Sequence, residues 1–251
     1  MGTLDVLFFL LFFYFLFLFP IIYSSEECQI SMCGNNNIPV RFPFHLEGQK
    51  NPTNCGYPGF DLSCNRQNQS VLNLPFSGEF FVRQISYITQ EILIYDPLNC
   101  LPKRLLHFNL SGSPFVSAFY QNYTFLSCPT SFTKSRFTPI DCLSNSTHSV
   151  LATSSTNVAL KMSASCEVIT TLAVPVSRPV QFEDGFASTL DNDLHLTWYE
   201  PDCGNCEIQG GMCGFKSNTT RDIGCFYYPG QGKKISLQSQ GCVELIASNF
   251  A

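Results

Sequence analysis

Every cysteine of this chain lies beyond residue 27, and there are thirteen of them: Cys28, Cys33, Cys55, Cys64, Cys100, Cys128, Cys142, Cys166, Cys203, Cys206, Cys213, Cys225 and Cys242. No other feature constrains the fold as much. Sulfur at this density points to an oxidising compartment and to a structure held by disulfides. The start of the chain agrees. Residues 6–19 are unbroken apolar sequence closed by Pro20, the length of a signal-peptide core and short of the ~20 residues a bilayer span needs. We expect residues 1–24 to be a cleaved signal, with Ile22 and Ser24 forming the small-residue site; an uncleaved anchor is the alternative. Five N-x-Ser/Thr sequons, at Asn68, Asn109, Asn122, Asn145 and Asn218, complete the signature of a secreted, extracellular glycoprotein.

The cysteines also divide the mature chain. Cys28, Cys33, Cys55, Cys64 and Cys100 mark a first β module over residues 25–110. Cys128, Cys142 and Cys166, then the cluster Cys203, Cys206, Cys213 and Cys225, mark a second β-rich region over residues 111–232. Residues 233–251 form a tail. Twelve cysteines are expected in disulfides whose pairing spacing alone leaves open. Thirteen is odd, and Cys242, in a tail without strand alternation, is the candidate left over.

The fold class reads as mainly β: small disulfide-rich β modules with long loops and little helix. In "IPVRFPFHL" Ile38, Val40, Phe42, Phe44 and Leu46 share one face at a period of two, while Pro39, Arg41, Pro43 and His45 share the other. Prolines at that spacing forfeit donors on a single edge, so an edge strand with a stiff outer face bearing Arg41 is expected. Residues 80–97, 159–176 and 195–201 are also read as strands. Residues 51–64 and 203–218 are dense in Gly, Pro and Asn, and read as turns.

Composition removes several function classes. Only 13% of residues are charged and the net charge is −5, or −4 once Asp5 leaves with the signal, so a nucleic-acid partner is excluded for want of a basic patch. Cys203-Gly204-Asn205-Cys206 has redox spacing, but Gly210 and Gly211 argue against the helix that would activate a thiol, and structural disulfides are expected there. Zinc would need thiolates, so no metal is expected. His45, His107, His148 and His195 stand apart from any serine or aspartate motif, no G-x-S-x-G occurs, and the chain is read as non-enzymatic with no cofactor. Asp191, Asn192 and Asp193 lack the glycine and the later glutamate of a calcium loop.

Binding remains. Arg41, Lys50, Arg66, Lys103 and Arg104 are candidates to face the carboxylates of an acidic polysaccharide, a role to which the planar arginine fork is suited. Tyr57 is the leading candidate to stack on a sugar ring, with Tyr227 and Tyr228 behind it.

The stretch from Cys28 to Cys64 resembles the plant wall-associated receptor kinase galacturonan-binding module. The residues that carry this are Cys28, Cys33-Gly34, Phe42-Pro43-Phe44, Cys55-Gly56-Tyr57-Pro58-Gly59-Phe60 and Leu62-Ser63-Cys64. "CGNCEIQGGMCGF" with Cys225 is similar to the Cys-rich wall-associated C-terminal module. The whole resembles the ectodomain of plant membrane RING-finger ubiquitin ligases that carry these modules. That resemblance implies recognition of pectin outside the cell, in the plant cell wall. Because the net negative charge opposes attraction to a polyanion, local or calcium-bridged contacts are expected, and a protein co-receptor is the second reading. After Lys233-Lys234 neither a membrane helix, a RING nor a kinase is read in the sequence, so ligase or kinase activity is not carried over. The expectation is a secreted, truncated or alternatively ended ectodomain, membrane-anchored only if the N-terminal segment stays or the chain is a fragment.

Overall fold

The computed structural model describes residues 28–34, 38–48, 55–131, 139–177, 192–217 and 220–227. The expected signal, Lys50, Asn218, Tyr228, Cys242 and the tail lie outside them.

Two sheets and a small hairpin make the frame. The first sheet has six strands: β1 (His45–Leu46), β2 (Asp61–Cys64), β3 (Ser70–Leu74), β4 (Gly78–Ser86), β5 (Glu91–Tyr95) and β9 (Asp193–Thr197), in the order β1-β2-β3-β4-β5-β9. β1 runs parallel to β2 and every other neighbour pair is antiparallel. The second sheet, β7-β6-β8, is built from β6 (Phe119–Pro129), β7 (His148–Thr153) and β8 (Glu167–Val176). β10 (Met212–Phe215) and β11 (Ile223–Phe226) form the hairpin. Helices are short: α1 (Leu101–Leu105), α2 (Thr156–Met162) and α3 (Gly204–Ile208). The mainly β, disulfide-rich architecture expected from the sequence is the one observed.

Local chemistry explains the turns. Asn65 Oδ1 accepts from the N–H of Gln67 and of Gln69, each at 2.9 Å, and this closes the β2–β3 connection. α2 starts at Ser155, whose hydroxyl accepts from Val158 N–H. The strand read from residue 159 therefore begins only at Glu167, because a capping serine claims the preceding residues for a helix.

The described disulfides pair Cys28–Cys55, Cys33–Cys64, Cys100–Cys142, Cys128–Cys166, Cys203–Cys213 and Cys206–Cys225. Neither Cys203 nor Cys206 pairs with the other, and no thiol remains in that motif. The turn expected there contains α3, with Cys203 at its N-cap and Gly210, at φ +79°, just beyond its end. The last two disulfides close the C-terminal segment only on itself. In contrast, Cys100–Cys142 ties the first sheet's far end to the second region.

Residues from both sides of the 110/111 boundary share one core. A single apolar cluster joins Leu62, Phe80, Ile94 and Leu196 of the first sheet to Phe125, Ala152 and Val174 of the second. β9 comes from beyond residue 111, yet it completes the first sheet. At the centre Phe44, Phe60, Phe115 and Trp198 pack ring to ring, with centroids 5.1–6.5 Å apart. Each is at most 1% exposed, and such contacts add to the area term of burial.

The opening edge strand takes a different form from the one expected. Val40, Phe42, Phe44 and Leu46 are buried as the alternation requires. However, the chain turns at the cis Phe42–Pro43 bond, and Phe44 N–H donates to Arg41 C=O at 2.9 Å. Pro43 is buried inside that turn instead of lying on an outer face. Only His45–Leu46 remains as strand, and it forms the sheet edge.

Candidate functional site

Three arginines lie over three aromatic rings, and the difference between them locates the chemistry. Arg41 sits over Tyr87 with its guanidinium carbon 3.8 Å from the ring centroid. Its fork is fully used: Nη1 and Nη2 donate to Glu207 Oε1 and Oε2 at 2.5 and 2.7 Å. Glu207, on α3, has a side chain only 4% exposed, against 18% for Arg41. The carboxylate that Arg41 meets in this structure is therefore the protein's own.

Tyr87 lies beneath the Arg41 guanidinium. It accepts from Arg41 N–H at 3.0 Å and donates to Pro39 C=O at 2.8 Å. Burial raises its phenol from the usual 10.0 to about 12, opposed by the hydrogen bond and charge of Arg41 and assisted by the charge of Glu207.

Arg104 lies 4.5 Å over Phe80. Its Nη2 donates to Ser77 C=O and Glu79 C=O, and its Nη1 is 3.9 Å from the buried Asp96. This cation fastens the β3–β4 turn to α1. Tyr57 is half-buried and packs against Phe42, Phe60 and Phe215, so its ring joins the N-terminal segment to the β10–β11 hairpin. Arg66, in the β2–β3 turn, and Lys103, on α1, are exposed and have no ion-pair partner among the described residues. Tyr227 is exposed and donates to Gln209 Oε1 at 3.2 Å. The sequence candidates thus do not converge on one spot. A cavity below β1, lined in part by Cys28, Arg41 and His45, measures about 10 Å³. That is room for one water and none for a sugar.

Sequence reasoning missed the third stacked arginine. Core-facing Phe80, Val82, Ile92, Ile94, Leu194 and Leu196 leave the alternate residues of β4, β5 and β9 on the outer face. Across it, Val71, Phe81, Tyr95 and Asp193 pair in one cross-strand row. Arg83 lies 4.3 Å over Tyr95, and its Nε donates to Asp193 Oδ1 at 2.9 Å and forms an ion pair with Oδ2 at 2.8 Å. Phe81 meets Tyr95 edge-on at 5.6 Å. The signal was present as strand period: inward Phe80 and Val82 require outward Phe81, and inward Ile94 requires outward Tyr95. What sequence could not supply was the bulge between Val82 and Gln84 that re-aims Arg83.

Of the five sequons, Asn68, Asn109, Asn122 and Asn145 are described, and all four are exposed. No helix among the described residues is long and apolar enough to cross a membrane.

Comparison with known proteins sets this geometry in context. Residues 28–96 match the family described as "Wall-associated receptor kinase galacturonan-binding", and residues 139–230 match "Wall-associated receptor kinase C-terminal". Two RING-H2 finger proteins of Arabidopsis thaliana are similar: one is 46% identical over 227 residues, covering 88% of this chain and 61% of its own, and the other 43% identical over 226 residues, covering 87% and 59%. A rust resistance kinase of Triticum aestivum is 26% identical over 235 residues, covering 79% of this chain and 37% of its own. The chain thus spans about 60% of the length of those RING-H2 relatives. No solved structure matches it.

Proposed function

The chain carries the wall-associated receptor kinase galacturonan-binding and C-terminal modules, and from that premise we propose that it binds pectic galacturonan outside the cell without transforming it. The observation that carries this reading is the open outer face of the six-stranded sheet. Its inner face is committed to the core, while its outer face presents Phe81, Arg83, Tyr95 and His195, all exposed or half-exposed. A polar and aromatic strip accepts a polymer lying along it, whereas turnover of a small substrate calls for a cleft that excludes water. Arg66 and Lys103 supply further exposed cations, and Lys50 belongs to the same module. N-glycans at the four exposed sequons would fit a secreted wall protein.

The net charge of −4 that remains once Asp5 leaves with the signal opposes long-range attraction to a polyanion. Binding then rests on local contacts, and added salt weakens it. Retention on immobilised de-esterified polygalacturonate, with release by salt and no retention on cellulose, is the expected result. Equal behaviour on both matrices ends the proposal.

A second reading, recognition of a protein partner by the ectodomain of a RING-type ligase or receptor kinase, has its own observation. Among the described residues β8 pairs only with β6, and it exposes Val168 and Ile169; such an edge accepts an added strand. Silence of the protein on acidic glycan arrays, together with capture of a co-receptor ectodomain that a charge at Ile169 abolishes, is the result that favours it.

A further inference from the structure

The geometry points to Arg83 as the seat of a uronate carboxylate on the outer sheet face, an assignment that rests on the galacturonan reading and gives it an address. Of the three ring-stacked arginines, Arg41 spends its fork on Glu207, and Arg104 directs Nη2 to Ser77 and Glu79. Arg83 engages Asp193 through Nε alone. Its two terminal nitrogens have no partner among the described residues, and its side chain is 49% exposed.

The guanidinium is nevertheless held in place. Tyr95 supports its plane from below, Asp193 fixes its inner edge, and the bulge in β4 sets its direction. A planar cation with its orientation fixed and its outer pair of N–H donors free matches a carboxylate bidentately, and little rotamer entropy remains to be lost on binding.

The neighbours suit a sugar. Tyr95 Oη accepts from Gln69 Nε2 at 3.2 Å, so its own proton remains to be donated to a ring hydroxyl. Gln69 is itself oriented by Asn65, whose Nδ2 donates to Gln69 Oε1 at 2.9 Å. Phe81 extends the apolar strip beside it. Asp193 offsets part of the arginine charge, so recognition depends on the shape of the fork more than on net attraction. A single uronate is then held weakly, and a polymer gains through repetition of the same contact.

Isothermal titration of the secreted protein with long unesterified oligogalacturonides and with their methyl esters tests the seat. The wild type should prefer the acid. Arg83→Gln should weaken acid binding about ten- to a hundredfold, the range for losing a charged hydrogen-bonded pair, and bind acid and ester alike. Arg83→Lys keeps the charge but lacks the fork, and should recover only part of the preference. Because Arg83 also straps β4 to β9, near-UV circular dichroism must first show the variant folded. A merely structural role leaves the acid-to-ester ratio unchanged. A folded Arg83→Gln with wild-type preference overturns the seat while galacturonan binding stands. A wild type that binds neither form overturns both.

Discussion

Removing Arg41 should release the C-terminal knot from the sheet without unfolding the sheet. The knot comprises α3, β10 and β11, closed by Cys203–Cys213 and Cys206–Cys225; no described disulfide ties it to the remainder. It docks through the Arg41–Glu207 pair, through Phe42 and Tyr57 against Phe215, and through Gln90. Gln90 donates to Trp198 C=O and Pro201 C=O and accepts from the N–H of Cys203 and Gly204. In Arg41→Ala the Glu207 carboxylate keeps only Cys213 N–H, at 3.4 Å, while its side chain is 4% exposed. Stranding a buried charge in this way costs about 3–5 kcal/mol, and the stacking on Tyr87 is lost as well. Glu207→Gln leaves a neutral group and a cation with access to water, and should cost about 1–3 kcal/mol. Replacing both with methionine should cost less than Arg41→Ala alone, since no charge is then stranded. Hydrogen exchange read by mass spectrometry separates local from global opening. Peptides covering residues 204–226 should lose protection in Arg41→Ala, while those of β3, β4 and β5 keep theirs. Unchanged protection over residues 204–226 would refute this account of the clamp.

Two further outcomes concern the same region. Tyr87 holds its proton to about pH 12 in the folded chain, against 10.0 when unfolded. Its contribution is therefore full below pH 10 and is lost as pH rises from 10 to about 12, roughly 2–3 kcal/mol in all. A 295 nm titration of the wild type minus Tyr87→Phe should show a phenol ionising near the upper limit; a midpoint near 10 contradicts its burial against Arg41 and Pro39. Gly211 should be less tolerant than Gly210 despite adjacency. A methyl at Gly211 runs into the Cys206 and Cys225 sulfurs, whereas one at Gly210 meets nothing within 4 Å and suffers only from φ +79°. Gly211→Ala should lose about 1–3 kcal/mol and Gly210→Ala about 1 kcal/mol, read as thermal midpoints. The reverse order would mean the disulfide does not lie over Gly211.

Much of the frame was legible because strands declare themselves by alternation. Inward Phe80, Val82, Ile92 and Ile94 follow directly from it, and so does the burial of Val40, Phe44 and Leu46. The disulfide pairing was not legible, since Cys100 finds Cys142 through the packing of α1 near the second sheet. Nor was the role of β9, which returns to the first sheet only after the 97 residues that separate Tyr95 from Asp193. The motif residues that mark the family turn out to serve the core. Phe44, Phe60 and Cys55 are buried, and Gly56 leaves space that the His45 side chain fills.

That division accounts for where the sequence candidates landed. A cation read from a motif-rich segment belongs to the part of the chain under the strongest packing constraint, and Arg41 is accordingly taken by Glu207 from the opposite end of the chain. The partner is 166 residues away in sequence, so no local pattern could reveal it. Arg83 lies in a stretch without motif character, and its neighbours Phe81 and Tyr95 read as ordinary strand aromatics. Yet the outer face is where a chain of sugars can lie without disturbing the core that the cysteines and rings enclose. A substitution at Arg41 should therefore alter how the knot is held, and a substitution at Arg83 should alter what the sheet recognises. If the two variants changed the acid-to-ester preference equally, the separation between the packed face and the binding face would be wrong.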